Sequence, residues 1–297
     1  RDLEAVTFVD PVAYSARAHA AVNTFARHLG ETLPRMDLGG RTLFDLAGVR
    51  YTGSGHLASA LAMDKDLSKV VFRAAGVPTA DWWMLRAGDG VDWQAPDHAR
   101  RAVAELGLPI VVKPSKQGST VGLSIVKATE SLRSAIAEAF RYDDEVMLEA
   151  YVPGRELTVG ILGDWVMPVG EIIPKHEIYD YECKYTPGMA EELFPAPLPP
   201  AVRDEAQRLT RVAYAALKLH GCARIDFRLH PDGGLYCLEA NTLPGMTGTS
   251  LVPQAAPADG IGFAVTHFPE TRRNHFGQQC ARHQDVVDGA REARADV

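Results

Sequence analysis

A predicted β-hairpin near residue 230 constrains the fold of this chain more than any other segment. Residues 224 to 241 read RIDFRLHPDGGLYCLEAN, two alternating strands around Asp232-Gly233. That dipeptide is typical of a two-residue type I′ turn, and period-two alternation is typical of antiparallel strands. If this turn closes the hairpin, Asp226 lies directly opposite Glu239.

The pairing would bring two carboxylates together across the hairpin. Like charges directly opposite each other destabilise a strand pair, so a cation is expected between Asp226 and Glu239. Strict alternation also predicts that Cys237, Glu239 and Asn241 share one side of the second strand. Two carboxylates and an amide oxygen are ligands that Mg²⁺ prefers, commonly together with substrate phosphates. The hairpin alone leaves two interpretations open, a magnesium site and a solvated polar face.

A glycine-rich segment supplies a candidate phosphate site. An apolar strand is predicted at 108–112, and KPSKQGSTVG follows it at 113–122. Glycines and small hydroxyl residues let backbone N–H groups approach an anion, and Lys113 adds a positive charge. Neither a Walker loop nor a dinucleotide-binding fingerprint occurs in the chain. Taken alone, such a segment is more often a tight turn between strands than a phosphate site, and Lys65 taken alone is more often a solvated lysine at a helix start.

Composition excludes several classes of function. The formal charge is −7 over 297 residues, which gives no basic footprint for nucleic acid or an anionic membrane. No apolar run approaches the roughly 18 residues that span a membrane. The four cysteines form no C-x-x-C pair, so neither a disulfide framework nor a structural metal is expected, and a reducing cytoplasm fits best. We therefore expect small-molecule partners.

The periodicity of the remaining segments predicts mixed α/β structure. A helix capped by Asp64 would carry Leu67, Val70, Val71 and Ala74 on one face, and a second helix would bury Leu132, Ile136 and Phe140. A polar, proline-rich segment at 178–200 is predicted to be a long loop, which in a compact domain is usually functional or disordered. The other predicted elements are strands at 146–151, 156–162 and 168–174 and a helix at 201–220.

Taken in order, these motifs resemble the D-alanine:D-alanine ligase family of the ATP-grasp superfamily. The resemblance covers roughly residues 51 to 263. The matching motifs are YTGSG (51–55), SALAMDK (59–65), KPS (113–115), GSTVG (118–122), YDYECKY (179–185), RID (224–226), LEANTLPGMT (238–247) and SLVP (250–253).

The resemblance implies an α/β ATP-grasp fold, in which ATP lies between two antiparallel sheets behind a Rossmann-like N-terminal domain. Its division of the chain is an incomplete N-terminal substrate domain at 1–55, a central subdomain at 56–148 and a C-terminal subdomain at 149–263. The segment 178–200 would be the lid of the C-terminal subdomain, and 264–297 a mobile tail.

The resemblance also implies roles for individual residues. Those that contact ATP would be Lys65, Lys113 and Ser115 at the phosphates, Glu149, Tyr151 and Val152 at the adenine, and Glu156 at the ribose. Two Mg²⁺ ions, with Mn²⁺ as a substitute, would be held by Asp226, Glu239 and Asn241. The catalytic and substrate-binding set would be Arg224 and Gly245 at the oxyanion, Ser119, Ser250 and Leu251 at the amino acids, and Lys184 and Tyr185 in the lid.

The family reaction joins two D-alanines for peptidoglycan precursor synthesis in the cytoplasm. The first carboxylate attacks the γ-phosphate of ATP, and the second amine attacks the resulting acyl phosphate. Preorganised donors at the tetrahedral oxyanion typically contribute about 3 to 4 kcal/mol. The implied partners are ATP and D-alanine, with no nucleic acid or membrane, and the family allows a homodimer.

The N-terminal part departs from the family pattern. The first family strand, with a nearby Glu that contacts the first substrate's ammonium group, is missing. HLGETLPRMDLGG stands at 28–40, where the family has His-Gly-x-x-Gly-Glu-Asp-Gly. Three functions therefore stay open: a D-alanine:D-alanine ligase, an ATP-grasp dipeptide ligase with another amino-acid substrate, and a truncated nucleotide-binding relative without turnover.

Overall fold

The computed structural model describes residues 42, 53–90, 92–93, 95–118, 120–175, 188–246 and 250–260. The expectations for most of the N-terminal domain and for the 264–297 tail fall outside this part of the chain. No helix within these ranges is long and apolar enough to cross a membrane.

The described chain contains both helices and strands in mixed order. The helices are α1 (His56–Met63), α2 (Lys65–Ala74), α3 (Pro96–Leu106), α4 (Leu132–Ala139), α5 (Pro200–Ala216) and α6 (Leu251–Ala255), with 3-10 turns at Thr129–Ser131 and Ala256–Asp259. The strands are β1 (Trp82–Arg86), β2 (Ile110–Pro114), β3 (Ser124–Val126), β4 (Glu145–Ala150), β5 (Arg155–Leu162), β6 (Trp165–Val166), β7 (Gly170–Pro174), β8 (Ala190–Leu193), β9 (Cys222–Leu229) and β10 (Leu235–Asn241).

The strands form two antiparallel sheets. The first sheet has the order β1-β4-β2-β3, and the second has the order β10-β9-β5-β7-β8, with β6 paired to β5. Every described strand pair is antiparallel. The expected fold class, an α/β chain with two antiparallel sheets, is confirmed.

Each sheet has its own hydrophobic core. Residues of α3 and α4, such as Ala102 and Ile136, pack with Ile110 and Leu148 of the first sheet. The second core joins α5 to β5, β9 and β10, and it also contains Phe72 of α2. The first two helices therefore precede the first sheet in the sequence but share the core of the second.

Helix α2 does not bury the face that its apolar residues define. Asp64 caps the helix as expected, because its Oδ1 accepts a hydrogen bond from the Leu67 N–H at 3.1 Å. Leu67 and Val70 are nevertheless 47% and 52% exposed. The buried face instead carries Lys65, Ser68, Lys69 and Phe72. Two lysines are buried because carboxylates of neighbouring strands lie within reach of their ammonium groups.

The segment predicted as one long loop at 178–200 contains regular structure. Strand β8 lies within it and extends the edge of the second sheet by pairing with β7. Helix α5 begins at Pro200, where proline is compatible with a first helical turn because the missing N–H has no partner there in any case. The alternation signal of β8 is short, which is why the proline content dominated the sequence interpretation.

The hairpin keeps the predicted carboxylate pairing by a different route. Glu239 lies opposite Asp226, as expected. However, the turn is not a two-residue type I′ loop: His230 pairs with Gly234, and the Gly233 N–H donates to the His230 carbonyl at 2.9 Å. Proline at position 231 favours a type I turn, and Gly233 with φ +93° completes a three-residue loop.

A β-bulge then restores the register that the longer turn would shift. The ladder slips between Cys237 and Glu239, so Leu238 is an extra residue in β10. Without it, Glu239 would lie opposite Ile225, which is part of the second core. The prediction that Cys237 shares a face with Glu239 is therefore wrong, because Cys237 is buried in that core on the other side of the bulge.

Candidate functional site

The carboxylate of Asp226 lies at the centre of a polar cluster on the hairpin. Only 5% of the residue is exposed. Arg224 donates to both carboxylate oxygens, through Nε at 2.9 Å and Nη2 at 2.8 Å. Thr158 of β5 donates from Oγ1 to Oδ1 at 2.7 Å, and Asn241 donates from Nδ2 to Oδ2 at 2.9 Å. The cluster fixes the direction in which this carboxylate points.

Glu239 faces Asp226 from a more open position. Its side chain is 33% exposed, and its Oε2 lies 3.9 Å from the Nζ of Lys65. The repulsion expected between the two acids is therefore offset by Arg224 on one side and Lys65 on the other. Both cations come from the chain itself, one from β9 and one from α2.

The donor set at this position fits a hard divalent cation. Among the described residues no group of three His, Cys, Asp or Glu side chains forms a metal cage. Asp226, Glu239 and Asn241 instead offer two carboxylates and one amide, which suits Mg²⁺ because that ion commonly takes one or two carboxylates and completes its shell with phosphates and water. The amide of Asn241 presents its nitrogen to Asp226 as assigned, and a half-turn of that group would present its oxygen.

Lys65 joins the hairpin to the glycine-rich loop. Its Nζ donates to the carbonyl of Gln117 at 2.6 Å, and its backbone N–H donates to the carbonyl of Ser115 at 3.2 Å. Ser115 is fully buried. One lysine thus contacts both halves of the candidate site, which is the geometry that a ligand bridging them requires.

The glycine-rich loop is anchored from below by Asp143. The Oδ2 of Asp143 accepts a hydrogen bond from the Lys116 N–H at 2.7 Å, and Gln117 donates from Nε2 to the Tyr142 carbonyl at 2.8 Å. Burial raises the pKa of Asp143. A Cβ on Gly122, whose φ is +69°, would lie 2.7 Å from the ring of Tyr142, so only glycine fits there. Ser119, predicted to orient the amino acids, lies outside the described residues.

Lys113, Glu149 and Lys69 form a buried ion triad. The two oxygens of Glu149 receive one lysine each: Lys113 donates to Oε2 at 2.5 Å, and Lys69 donates to Oε1. Burial by itself would raise the pKa of Glu149, but the two lysines hold it at about 2. Burial lowers the pKa of Lys69, an effect that Glu149 partly offsets. Glu149 is therefore a carboxylate whose charge is shared between two cations.

The sequence reasoning did not identify Lys69. It lies four residues after Lys65, so the two share a helix face, and this i, i+4 spacing was the available signal. The apolar residues of the same helix instead led to the prediction that the opposite face is buried. Only the structure shows that Lys69 reaches the first sheet.

Three of the four residues predicted to surround the adenine and ribose lie around Arg228, which the sequence reasoning also missed; the fourth, Glu149, lies in the ion triad. Arg228 donates from Nε to the Val152 carbonyl at 3.1 Å and from Nη1 to Glu156 at 3.4 Å. Its guanidinium lies 5.9 Å from the centre of the Tyr151 ring. Tyr151 and Val152 belong to the segment that connects β4 of the first sheet to β5 of the second. Arg228 therefore fixes the crossing point between the sheets.

Arg224, the first predicted oxyanion residue, lies in β9, whereas Gly245, Ser250 and Leu251 follow the end of β10. A Cβ on Gly245 would lie 2.6 Å from the Ser250 hydroxyl, so the Gly245 backbone and that hydroxyl are adjacent. Leu251 is buried and begins α6, with Ser250 at the N-cap position. Lys184 and Tyr185 lie outside the described residues.

This chain is similar to known proteins in its sequence profile, in its amino-acid sequence and in its fold. The sequence profile of the family described as "D-ala D-ala ligase C-terminus" matches residues 71–266. The D-alanine–D-alanine ligase of Geotalea uraniireducens is 46% identical over 221 residues, which are 74% of this chain and 69% of that protein.

Two solved structures are similar over much the same part. A D-Ala:D-Ser ligase from Enterococcus faecalis superposes with a TM-score of 0.68 at 30% identity, covering 76% of this chain and 66% of the other. A D-alanine–D-alanine ligase from Bacillus anthracis, solved with ATP, gives a TM-score of 0.64 at 33% identity, covering 76% and 70%. The chain thus spans about two thirds of the length of these relatives.

Proposed function

This chain belongs to the D-alanine–D-alanine ligase family, which joins two D-alanines at the expense of ATP for peptidoglycan synthesis, and we propose the residues by which it does so. The observation that carries the proposal is the meeting of two carboxylates on β9 and β10 with Lys65, which also contacts the glycine-rich loop. Acids, cations and a turn rich in small residues together match the needs of a metal-bound triphosphate.

Lys65 and Lys113 bind the phosphates in this proposal. Both side chains are largely buried, which strengthens their interaction with an anion that displaces the remaining water. Ser115 would contribute its hydroxyl, because its N–H already donates to the Glu145 carbonyl at 2.9 Å, and the adjoining glycine-rich loop would add backbone donors. Arg228 supports the adenine and ribose end by holding Val152 and Glu156, while Tyr151 packs beside it.

Asp226, Glu239 and Asn241 would hold Mg²⁺, and two ions, with Mn²⁺ as a substitute, are the number that the family implies. When bound, the metal neutralises phosphate charge and orients the γ-phosphoryl group. Thr158 and Arg224 fix the direction of the Asp226 carboxylate by donating hydrogen bonds to it. The chain's own contribution is a carboxylate held rigidly before the ligand arrives.

Arg224 and the Gly245 N–H would stabilise the oxyanion that forms when the second amine attacks. The guanidinium of Arg224 is oriented by its paired contacts with Asp226, so it needs little reorganisation. Ser250 and the Leu251 N–H would hold the carboxylate of the second amino acid. Both lie at the N-terminus of α6, where a negative charge is stabilised. Ser119, Lys184 and Tyr185 complete the proposed set, with the last two excluding water from the acyl phosphate.

The test is ADP release on addition of D-alanine to the protein with Mg²⁺-ATP. A second assay mixture contains D-serine together with D-alanine, because the Enterococcus faecalis relative is a D-Ala:D-Ser ligase. We expect release with D-alanine alone and D-alanyl-D-alanine as the product. ADP release only with the D-serine mixture would assign the second substrate differently, and ATP binding without any release would contradict turnover.

We also propose that the enzyme works in the cytoplasm as a homodimer. Cys222 and Cys237, both in the described part, are free thiols, which is compatible with a reducing compartment. Sedimentation equilibrium tests the dimer, and a monomeric mass across the working concentration range would contradict it.

A further inference from the structure

Lys69 is a buried cation that the proposed mechanism does not yet use. Its side chain is fully buried, whereas those of Lys65 and Lys113 retain some exposure. It therefore has no direct path to a bound phosphate. Its ammonium group instead contacts Glu149, donates to the Thr79 hydroxyl at 2.6 Å and lies 5.1 Å from the centre of the Trp82 ring.

The charges of the triad explain why a second lysine is useful there. Glu149 and Lys113 alone would form a neutral pair, and the charge of Lys113 would be largely cancelled before any phosphate arrived. With Lys69 on the other carboxylate oxygen, the triad carries one net positive charge. That charge remains on the side of Lys113, because Lys69 is enclosed.

Lys69 is also held from the second sheet. Thr79 accepts from Lys69 and donates through the same hydroxyl to the Cys237 carbonyl at 2.9 Å. The Cys237 N–H donates in turn to the carbonyl of Pro78 at 2.8 Å. Cys237 is the last residue before the bulge that turns Glu239 toward Asp226. A short chain of hydrogen bonds thus runs from the triad to the acidic hairpin.

We propose that Lys69 is a positioning residue for ATP: by sharing Glu149, it leaves Lys113 with an uncancelled charge for the phosphates. The inference rests on the proposed function, since it assumes that Lys113 contacts phosphate. Its consequence is a specific loss of nucleotide affinity when the charge of Lys69 is removed, with little effect on the chemical step.

The first test is Lys69→Met, which keeps the length of the side chain and removes its charge. We expect the Kd for Mg²⁺-ATP, measured by calorimetric titration, and the KM for ATP to rise about tenfold or more, while kcat changes by less than about threefold. Lys127→Met, at an exposed position after β3, is the matched control and should bind ATP as the parent does. A Kd within twofold of the parent would overturn the proposal.

The second test is Thr79→Val, which removes a hydrogen-bond partner of Lys69 but keeps the charge of Lys69. We expect its Kd for Mg²⁺-ATP to lie within about threefold of the parent. A Kd more than tenfold weaker would overturn the charge argument even if Lys69→Met does not fold, because the contacts of Lys69 rather than its charge would then set the affinity. Measurements on the parent protein distinguish failure of the proposed function from failure of the role proposed for Lys69. Parent protein that binds ATP without releasing ADP contradicts the proposed turnover, whereas unchanged ATP affinity in Lys69→Met contradicts the role of Lys69 alone.

Discussion

Asp226 and Glu239 face each other but depend on their surroundings to very different degrees. Asp226 is almost fully buried and accepts from Arg224, Thr158 and Asn241. The side chain of Glu239 is one third exposed, and its ion pair with Lys65 is long. The two carboxylates should therefore be equally necessary for a bound metal and unequally necessary for the fold.

Substitutions at Asp226 and Glu239 distinguish the requirement for metal binding from the requirement for folding. We expect Glu239→Gln and Asp226→Asn each to lower ATP turnover by about 100-fold or more. Only Asp226→Asn should also reduce the free energy of unfolding, by roughly 3 kcal/mol, because it neutralises a buried carboxylate and leaves the partly buried Arg224 without its charge partner. Urea unfolding and ADP release measure the two effects, and Asp204→Asn on the exposed surface of α5 is the control. Normal turnover in Glu239→Gln would contradict the metal assignment.

Glu149 should make stability depend on pH in acid. Its pKa in the folded protein, about 2, lies below the ordinary value of 4.5, so its contribution is complete above about pH 4.5 and is lost as the pH falls toward 2. At one pKa unit per 1.36 kcal/mol, the contribution is on the order of 3 kcal/mol. We expect the difference in unfolding free energy between the parent and Glu149→Gln to shrink from pH 5 to pH 2.5, measured by denaturant titration. A constant difference would contradict the ion triad.

At the scale of elements, the hairpin shows what the sequence could predict and what it could not. The strands and the facing of Asp226 and Glu239 follow from alternation. The turn length does not, because Asp232-Gly233 is compatible with two loops and Pro231 decides between them. The bulge at Leu238 has no local signature, since it is set by the burial of both Cys237 and Ala240 in the second core. The longer turn and the bulge shift the register by one residue each in opposite directions, so Glu239 still lies opposite Asp226.

The same limit explains the missed cations. Lys69 and Arg228 have meaning only through partners distant in the sequence, and no spacing within α2 or β9 indicates which carboxylate each will meet. The candidate acids, Lys65 and Lys113 could be predicted from the sequence because they lie in recognisable motifs. Supporting residues were not, because their roles arise from packing between the two sheets.

Two glycines provide a prediction at the scale of elements. Gly154, in the connection between β4 and β5, has φ +115°, and a Cβ there would lie 2.0 Å from the Leu229 carbonyl oxygen. Gly233, in the hairpin turn, also has a positive φ, but nothing lies within 4 Å of its Cβ position. We expect Gly233→Ala to cost about 1 kcal/mol and Gly154→Ala clearly more, because the latter displaces backbone.

Thermal and denaturant unfolding of the two variants measure this difference. Gly154→Ala should also raise the KM for ATP, because the displaced segment carries Tyr151 and Val152, whereas Gly233→Ala should not. Equal stability losses in the two variants would contradict the close approach of Gly154 to β9.

At the scale of the molecule, two cores meet along one line of polar contacts. The first sheet contributes Lys113 and Glu149, the second contributes Asp226 and Glu239, and α2 supplies lysines to both. A ligand held by Lys113 of the first sheet and by Asp226 and Glu239 of the second would couple the two cores. Its binding energy would then add to the stability of both.

Hydrogen exchange tests this coupling. We expect a non-hydrolysable ATP analogue with Mg²⁺ to slow amide exchange in β2 and β4 of the first sheet and also in β9 and β10 of the second, by up to about 100-fold at saturation, since ligand linkage adds about 2.7 kcal/mol at 100 times Kd. Mg²⁺ alone is the control. Protection confined to one sheet would mean that the nucleotide binds on one side only.

The packing of α1 and α2 onto the second sheet has a consequence for synthesis of the chain. The Ser54 hydroxyl bonds the His220 carbonyl, a partner 166 residues later, and Thr79 bonds Cys237, 158 residues later. At about 5 to 20 residues per second, the ribosome takes roughly ten to thirty seconds to make the hairpin after the helices. During that interval Phe72 and the buried lysines have no partners from β10, so the nascent helices depend on strands made much later to become native.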